Sequence, residues 1–491
     1  MWLRYPLVRL ALPLILGMSG AAALMGYVQW NHTVCFVVMC SLLMVLVVTH
    51  NVYAHTALFR RLFTVAIFLL VLLFGATLYV LRYEHVATAV DVRQTTLRGI
   101  VATTPWRTQR SVALDLTTDD RSTLRLFLQP SAEHDPLILH RGDTLLVSPL
   151  HLRSTCPLPH DTTDFAAYRR YLFFDGIAAT CYVPAQRWQH SPTLQRDTTW
   201  NERLHTYYRQ SSLDSTTRTM VEALTIGRRQ GLTPQLRSHY AAAGVSHVLA
   251  LSGMHLGLIV GLLDLLILRF ILYRQRRWFM LGVIPLLWIF AYVAGMPPSL
   301  VRATLMATFF QLGFALGRQQ MLPNTLALAA IVMLCANPLL LQNVGFQLSF
   351  LSMVGIALFA RPRHWLLSSL MMTLSCTLFT APLVAYHFGT LPVYSLVTNL
   401  VVPPIVTLLM YATVLWLLLA FWPAAQVVLG HLLDRLVSLQ NQVVETIAAW
   451  PASTIEFRPT ALVTVLLYLV LFGLVWFLFR VLGKNTPSAW R

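Results

Sequence analysis

The stretch Tyr240-Ala-Ala-Ala-Gly-Val-Ser-His-Val-Leu-Ala-Leu-Ser-Gly-Met-His-Leu-Gly-Leu-Ile-Val-Gly-Leu262 is apolar enough to enter a bilayer, yet it carries Ser246, His247, Ser252, Gly253 and His255. Polar groups left unpaired in hydrocarbon cost several kcal/mol, so a lipid-facing helix avoids them. This segment is therefore expected to face protein or a watery cavity, and it is the first place to look for function.

The surrounding sequence says membrane. Of 491 residues, 56% are hydrophobic and 11% charged, against about 25% charged in soluble domains. Apolar runs recur along the chain, each near the roughly 20 residues that a spanning helix needs. They predict a polytopic α-helical membrane protein of about 10–12 segments, some broken or interfacial, with one inserted small extracytoplasmic β domain.

The organisation reads as 1–81, three membrane helices; 82–215, a soluble β-rich domain; 216–240, an amphipathic interfacial helix; 241–423, the membrane core; 424–458, a second amphipathic segment, interfacial or packed against the bundle; and 459–491, a last helix and short tail. Arg4, Arg9, Arg60 and Arg61 place the N-terminus and the second loop in the cytoplasm by the positive-inside rule, so 82–215 falls outside. Within it, Leu97–Val101, Val112–Leu116, Leu124–Leu128, Thr144–Val147 and Ala178–Val183 alternate as short strands between turn signals, and Phe165–Phe174 reads as a helix. Arginines and acids nearly balance in this domain, so the net charge of +17 sits almost wholly on the membrane part. The positive-inside bias suffices to explain it; an anionic cargo or lipid is the sharper reading. Only Cys156 and Cys181 of the six cysteines lie in the soluble part. A bridge between them suits an oxidising compartment and would stabilise by roughly 3 kcal/mol.

Four more segments mix apolar and polar character. Pro-Pro heads the helix containing Ser299, a potential cap, and Arg302, which either snorkels to the interface or meets a phosphate. Asn343 and Gln347, four apart beside Ser349, make a polar stripe that glues helices or lines a path. His387 and Gly389 end one helix. Asn399 leads into Pro403-Pro404, which is expected to break the next one, as at transport sites. Asp264 is placed to pair with Arg269. His247 and His255 stand two helical turns apart with no acid nearby, and there is no G-x-S-x-G, no phosphate-binding glycine loop, no CxxC and no HExxH. No catalytic residue, metal or cofactor is expected; the polar residues read as a route rather than a reaction.

Taken in order, Gly244–Gly261, Pro298-Ser-Leu-Val-Arg302, Asn337-Pro-Leu-Leu, Val344-Gly-Phe-Gln-Leu-Ser-Phe350, Tyr386-His-Phe-Gly389 and Asn399-Leu-Val-Val-Pro403 resemble the motif blocks of the ComEC family of DNA-uptake channels in natural competence. Asp164–Ile177 is similar to the end of that family's extracytoplasmic domain. The resemblance implies an inner-membrane channel passing single-stranded DNA into the cytoplasm, with an OB-like outer domain. It also implies an outer DNA receptor, a cytoplasmic helicase or motor and a separate nuclease as partners, besides the lipid bilayer, and leaves homo-oligomers open. The sequence ends at Arg491 without an H-x-H-x-D-H pattern, so a short form lacking the metallo-β-lactamase-like domain is expected. On this reading the DNA path is Ser252, Gly253, His255, Arg302, Asn343, Gln347, His387 and Asn399. The β domain would hold the strand with Arg98, Trp106, Arg107, Arg110 and Arg125, since OB folds grip single strands with arginine and stacked aromatics. The competing readings are a transporter for another small or lipid-linked anion on the same scaffold, and an intramembrane enzyme using His247 or His255.

Overall fold

The computed structural model describes the chain except residues 1–4, 26–31, 53–56, 89–95, 109, 131–135, 137–138, 149–151, 158–164, 193–198, 267–272, 319–320, 360–364 and 483–491. It divides into two compact units, Met1–Thr198 with Ala327–Asn343, and Thr199–Leu326 with Val344–Arg491. The protein is a helical membrane protein with a small β domain. Four helical stretches, Pro6–Leu24, Arg61–Ala87, Leu367–Phe388 and Ser395–Leu418, are long and apolar enough to cross a membrane. Six further apolar helices are shorter over their described residues.

In the first unit, helices α1 (Pro6–Leu24), α2 (His32–Val52) and α3 (Ala57–Ala87) pack together. The α1–α3 contact is backbone on backbone: a Cβ on Gly75 would meet the Leu14 carbonyl oxygen at 2.5 Å, and Gly17 abuts the Leu72 carbonyl in the same way. Small residues of this kind let membrane helices approach where no hydrophobic force drives them together.

After α3 the chain enters the sheet: β1 (Leu97–Val101), β2 (Trp106–Arg107), β3 (Val112–Thr118), β4 (Thr123–Leu128), β5 (Thr144–Val147), β6 (Leu152–Ser154), helix α4 (Ala166–Phe174), β7 (Ile177–Val183) and β8 (Trp188–Ser191). The order is β6-β7-β4-β3-β1-β5-β8, with β2 beside β3. β4 and β7 are parallel and the other pairs antiparallel. The inner run β7-β4-β3-β1-β5 has the strand order of an OB-type sheet. Alternation drives burial: Leu114, Leu116, Leu124, Leu126, Leu128, Leu145 and Val183 point to one face and are fully buried. Tyr83, near the end of α3, anchors the domain through Phe173 of α4 (ring centroids 4.8 Å apart) and through the Cys156 thiol at 3.4 Å.

The expected Cys156–Cys181 bridge is not made. The β6–β7 register sets Cys181 opposite Leu152, four residues before Cys156, and the Cys181 thiol points to the Tyr182 carbonyl.

The second unit begins with α5 (Trp200–Gln210), α6 (Ser215–Thr225) and α7 (Pro234–Ala242). The single amphipathic helix expected over 216–240 is thus two helices, parted at Gly227 (φ +74°). Then come α8 (Gly253–Leu266), α9 (Tyr273–Val293), α10 (Pro298–Ala315), α11 (Leu322–Ala336), which from Ala327 on belongs to the first unit, α12 (Val344–Phe359), α13 (Trp365–Phe388), strand β9 (Thr390–Pro392), α14 (Ser395–Leu418), α15 (Pro423–Ala448), strand β10 (Thr454–Glu456) and α16 (Ala461–Leu482).

α14 and α15 form an antiparallel hairpin tied at both ends. Trp416 Nε1 donates to the Gln426 carbonyl (3.2 Å), and the Tyr394 hydroxyl donates to the Pro451 carbonyl (2.9 Å). The amphipathic segment expected at the interface therefore runs back along α14. Its stripe of Leu433, Val437, Val444 and Ile447 is buried in a cluster with Val402, Val406 and Leu409 of α14. Pro403 and Pro404 do not break α14, which continues through them. Their cost is confined to the hydrogen bonds that Asn399 and Leu400 carbonyls would have accepted, a loss membrane helices tolerate when neighbours re-satisfy the backbone.

Candidate functional site

The opening segment is not one helix. Between α7 and α8, residues 243–252 run irregularly. Gly244 (φ +77°) starts the departure, and a Cβ there would press on Ser395 at 2.6 Å, so only glycine fits. Val245 and Val248 point inward and are fully buried, while Ser246 and His247 are exposed.

Ser252 and His255 end the loop and start α8. The Met254 N–H donates to the Ser252 hydroxyl (3.3 Å), and the Ser252 N–H donates to Nδ1 of His255 (3.2 Å). This is a capping-box arrangement with histidine in the place usually held by Glu or Gln. A backbone N–H can only donate, so Nδ1 carries no proton and the ring hydrogen is on Nε2. His255 is 0% exposed and its Nε2 has no hydrogen-bond partner among the described residues.

α10 brings the second motif against the first. The Ser299 hydroxyl donates to the Leu251 carbonyl (2.7 Å) rather than capping its own helix. Arg302, one turn on, is 6% exposed, so it does not snorkel. Its Nε donates to the Ser349 hydroxyl of α12 (2.8 Å), its guanidinium lies 5.7 Å from the Phe350 ring centre, and one terminal nitrogen sits 3.5 Å from the Met306 sulfur. No carboxylate pairs with it among the described residues. The other terminal nitrogen lies 3.5 Å from where a Gly253 Cβ would be. Motifs from α8, α10 and α12 thus converge on one buried cation.

The remaining path residues are elsewhere. Asn343 (φ −76°, ψ 121°) precedes α12 in an extended conformation, so it does not share a helical face with Gln347 as the spacing suggested. His387 is exposed at the end of α13, with its ring edge-on to Tyr386 at 4.9 Å. Gly389 (φ +70°) turns the chain against the side chain of Arg458. Asn399 is half-buried on α14. The expected Asp264–Arg269 pair lies outside the described side chains. Ser349 and Ser299, which hold Arg302 and Leu251, became identifiable as partners only in three dimensions.

In the β domain, register puts Arg98, Trp106 and Arg125 on the sheet face opposite the core. Arg107 and Arg110 are exposed in and beside the β2–β3 corner. Arg125 is already engaged: Nε and Nη2 donate to the two carboxylate oxygens of Asp115 (2.7 and 3.0 Å), and the guanidinium stacks 5.2 Å from the Trp106 ring centre. Burial works against its charge, but the Asp115 bonds outweigh that and raise its pKa. Arg125 thus already has a carboxylate partner and braces Trp106.

No solved structure matches this chain. ComE operon protein 3 of Bacillus subtilis (strain 168) is 29% identical over 259 residues, covering 51% of this chain and 33% of that protein. An uncharacterized protein of Aquifex aeolicus (strain VF5) is 27% identical over 214 residues, covering 43% of this chain and 50% of the relative. The matched part thus spans a third to a half of these curated relatives. The family model described as "Competence protein" matches residues 224–482, more than half of the chain and every motif converging on Arg302. The chain belongs to this competence-protein family, the ComEC family.

Proposed function

We propose that this protein is a multi-pass channel of the bacterial inner membrane that passes single-stranded DNA into the cytoplasm during natural transformation, without altering the strand covalently. The β domain, on the outer face, receives the strand. An outer DNA receptor, a cytoplasmic helicase or motor and a separate nuclease complete the process.

The observation that carries this reading is Arg302. A cation 6% exposed among apolar helices, with no carboxylate partner among the described residues, is costly unless something anionic visits it. A polyanion crossing hydrocarbon needs such points of positive potential. Arg302 is also reached by motif residues from two other helices, and the adjoining loop exposes Ser246 and His247. Gln347, His387 and Asn399, which belong to the same unit as Arg302, are assigned to the same route.

The test is transformation frequency in a strain whose only copy carries Arg302→Ala. At unchanged protein level, transformation falls while DNA still binds the cell surface. Normal transformation overturns the reading.

A further inference from the structure

Helix α4 turns one side inward, where Ala166, Leu172 and Phe173 are buried. Its other side keeps three large rings in the open. Phe165, at the start of the helix, is 69% exposed, Tyr168 43% and Tyr171 52%. They recur every third residue, so they lie along one side of the helix. The Tyr168 and Tyr171 rings stack, with 6.4 Å between centres and 22° between planes. Arg170 is exposed beside them. A hydrogen bond with Arg125 holds Tyr168, which leaves Phe165 and Tyr171 as the most open rings. A continuous exposed apolar surface of this kind marks a place of contact.

The height of α4 relative to the membrane identifies what it touches. Residues 62–81 of α3 carry no charge, and Arg82 and Glu84 follow them. At about 1.5 Å per residue this run covers roughly 30 Å, the thickness of the hydrocarbon layer. The polar layer of the bilayer therefore begins at Arg82, and Tyr83 stands about 3 Å beyond the hydrocarbon edge. Phe173 of α4 packs on the Tyr83 ring, 4.8 Å between centres. Both helices belong to one compact unit. A side chain on a helix leans towards its N-terminus, here towards the hydrocarbon. The last turn of α4 is thus held at the level of the headgroups, a layer about 5–7 Å deep.

We propose that the exposed side of α4 rests on the bilayer, with Phe165 and Tyr171 among the phospholipid headgroups and Arg170 at their phosphates. Aromatic rings, above all those with an apolar body and a polar tip, favour this layer. Arginine adds a fork of donors that matches phosphate. An unpaired nucleic-acid strand is the other occupant that stacked rings suit, but at this height it would lie against lipid phosphates of its own sign. The contact gives the β domain a second hold on the membrane besides its chain connection to α3. It requires only that α3 spans, and stands apart from the channel reading.

The test places the photoreactive amino acid benzoylphenylalanine at Phe165, or separately at Tyr171, of the full chain. The protein is reconstituted in nanodiscs of phosphatidylethanolamine and phosphatidylglycerol, with labelled oligothymidine present. A third variant carries the probe at Leu81, exposed at the end of the apolar run, as the reference for lipid contact. Residues 165 and 171 face outward, so the replacements leave the core intact, and an unchanged melting temperature checks this. After illumination, the added mass of one phospholipid is expected on all three variants. Lipid on the Leu81 variant but missing from either α4 variant overturns the proposal. Oligothymidine attached in place of lipid overturns it in favour of a nucleic-acid contact. Attachment to a second copy of the chain overturns it in favour of a dimer interface. An unmodified Leu81 variant overturns the placement of the hydrocarbon edge and the proposal with it. None of these outcomes bears on the Arg302→Ala transformation result, which tests the channel alone.

Discussion

The guanidinium of Arg302 lies against Gly253, 3.5 Å from the position a side chain on that glycine would first occupy, and Ala303 is nearer still at 3.3 Å. A branched residue at 253 has nowhere to go without moving Arg302. Gly253→Val should accordingly abolish transformation while Gly253→Ala, whose single methyl needs Ala303 to give by only a few tenths of an ångström, retains most of it. Transformation frequency at matched protein level checks this; equal activity of the two variants would show that the contact is immaterial.

Arg302 also separates function from stability. An unpaired buried cation contributes little to folding, and replacing buried charge with an apolar side chain of similar size is often neutral or stabilising by about 1–4 kcal/mol. Arg302→Met should leave the melting temperature of the purified protein unchanged or higher while transformation is lost. A large drop in melting temperature would mean that the arginine is structural.

His255 acts through the Ser252 cap. Its Nδ1 accepts the Ser252 N–H, a task a glutamine oxygen performs at the same helix position. His255→Gln should keep the protein's thermal stability, and His255→Ala should lower it by about 1 kcal/mol. Equal stability of the two variants would remove the capping role.

In the β domain, Asp115→Asn leaves the half-buried Arg125 without its hydrogen-bonded carboxylate partner. Removing one partner of such a pair costs about 3 kcal/mol. The expected readout is an earlier thermal transition together with weaker oligothymidine binding, because Trp106 loses its brace. A parent-like transition would show that solvent screens the pair.

Asp175, which ends α4, gives a pH dependence. Desolvation by its neighbours raises its pKa from the usual aspartate value, Arg125 opposes this and the like charge of Asp115 adds to it, while the exposure of the side chain lets solvent screen much of the effect and keeps it small. A carboxyl raised on folding binds its proton more tightly in the native state. Ionised Asp175 therefore costs stability above its folded pKa, and the cost disappears as pH falls towards the unfolded value. Asp175→Asn should raise the melting temperature at neutral pH, with the gain shrinking as the buffer is acidified. A gain independent of pH would assign the effect to packing.

The strands read from alternation at Leu97, Val112, Leu124, Thr144 and Ala178 are present, as is the helix read over Phe165–Phe174. Each carries its own periodicity, which one sequence suffices to reveal. β2 and β6 are two and three residues long, too short to show a period, and β8 (Trp188–Ser191) has a single buried residue and no alternation; all three exist because a neighbour pairs with them. Pro403-Pro404 gave a local reason to break a helix that the packing of Val402, Val406 and Leu409 overrides. The importance of Ser252, Gly253, His255 and Arg302 was legible because polar residues are out of place in apolar segments. Their partners were not: Ser349 lies 47 positions from Arg302, and no spacing rule spans that interval.

β9 and β10 make a two-stranded clip, Ile455 opposite Leu391, between the corner joining α13 to α14 and the corner joining α15 to α16. With the Tyr394–Pro451 bond beside it, the clip fastens both helical hairpins at one rim, so these four helices must swing together, like the leaves of a bound book. On the proposed channel reading, any widening of a passage is thereby left to unclipped helices, among them α8, α10 and α12, whose motifs meet at Arg302.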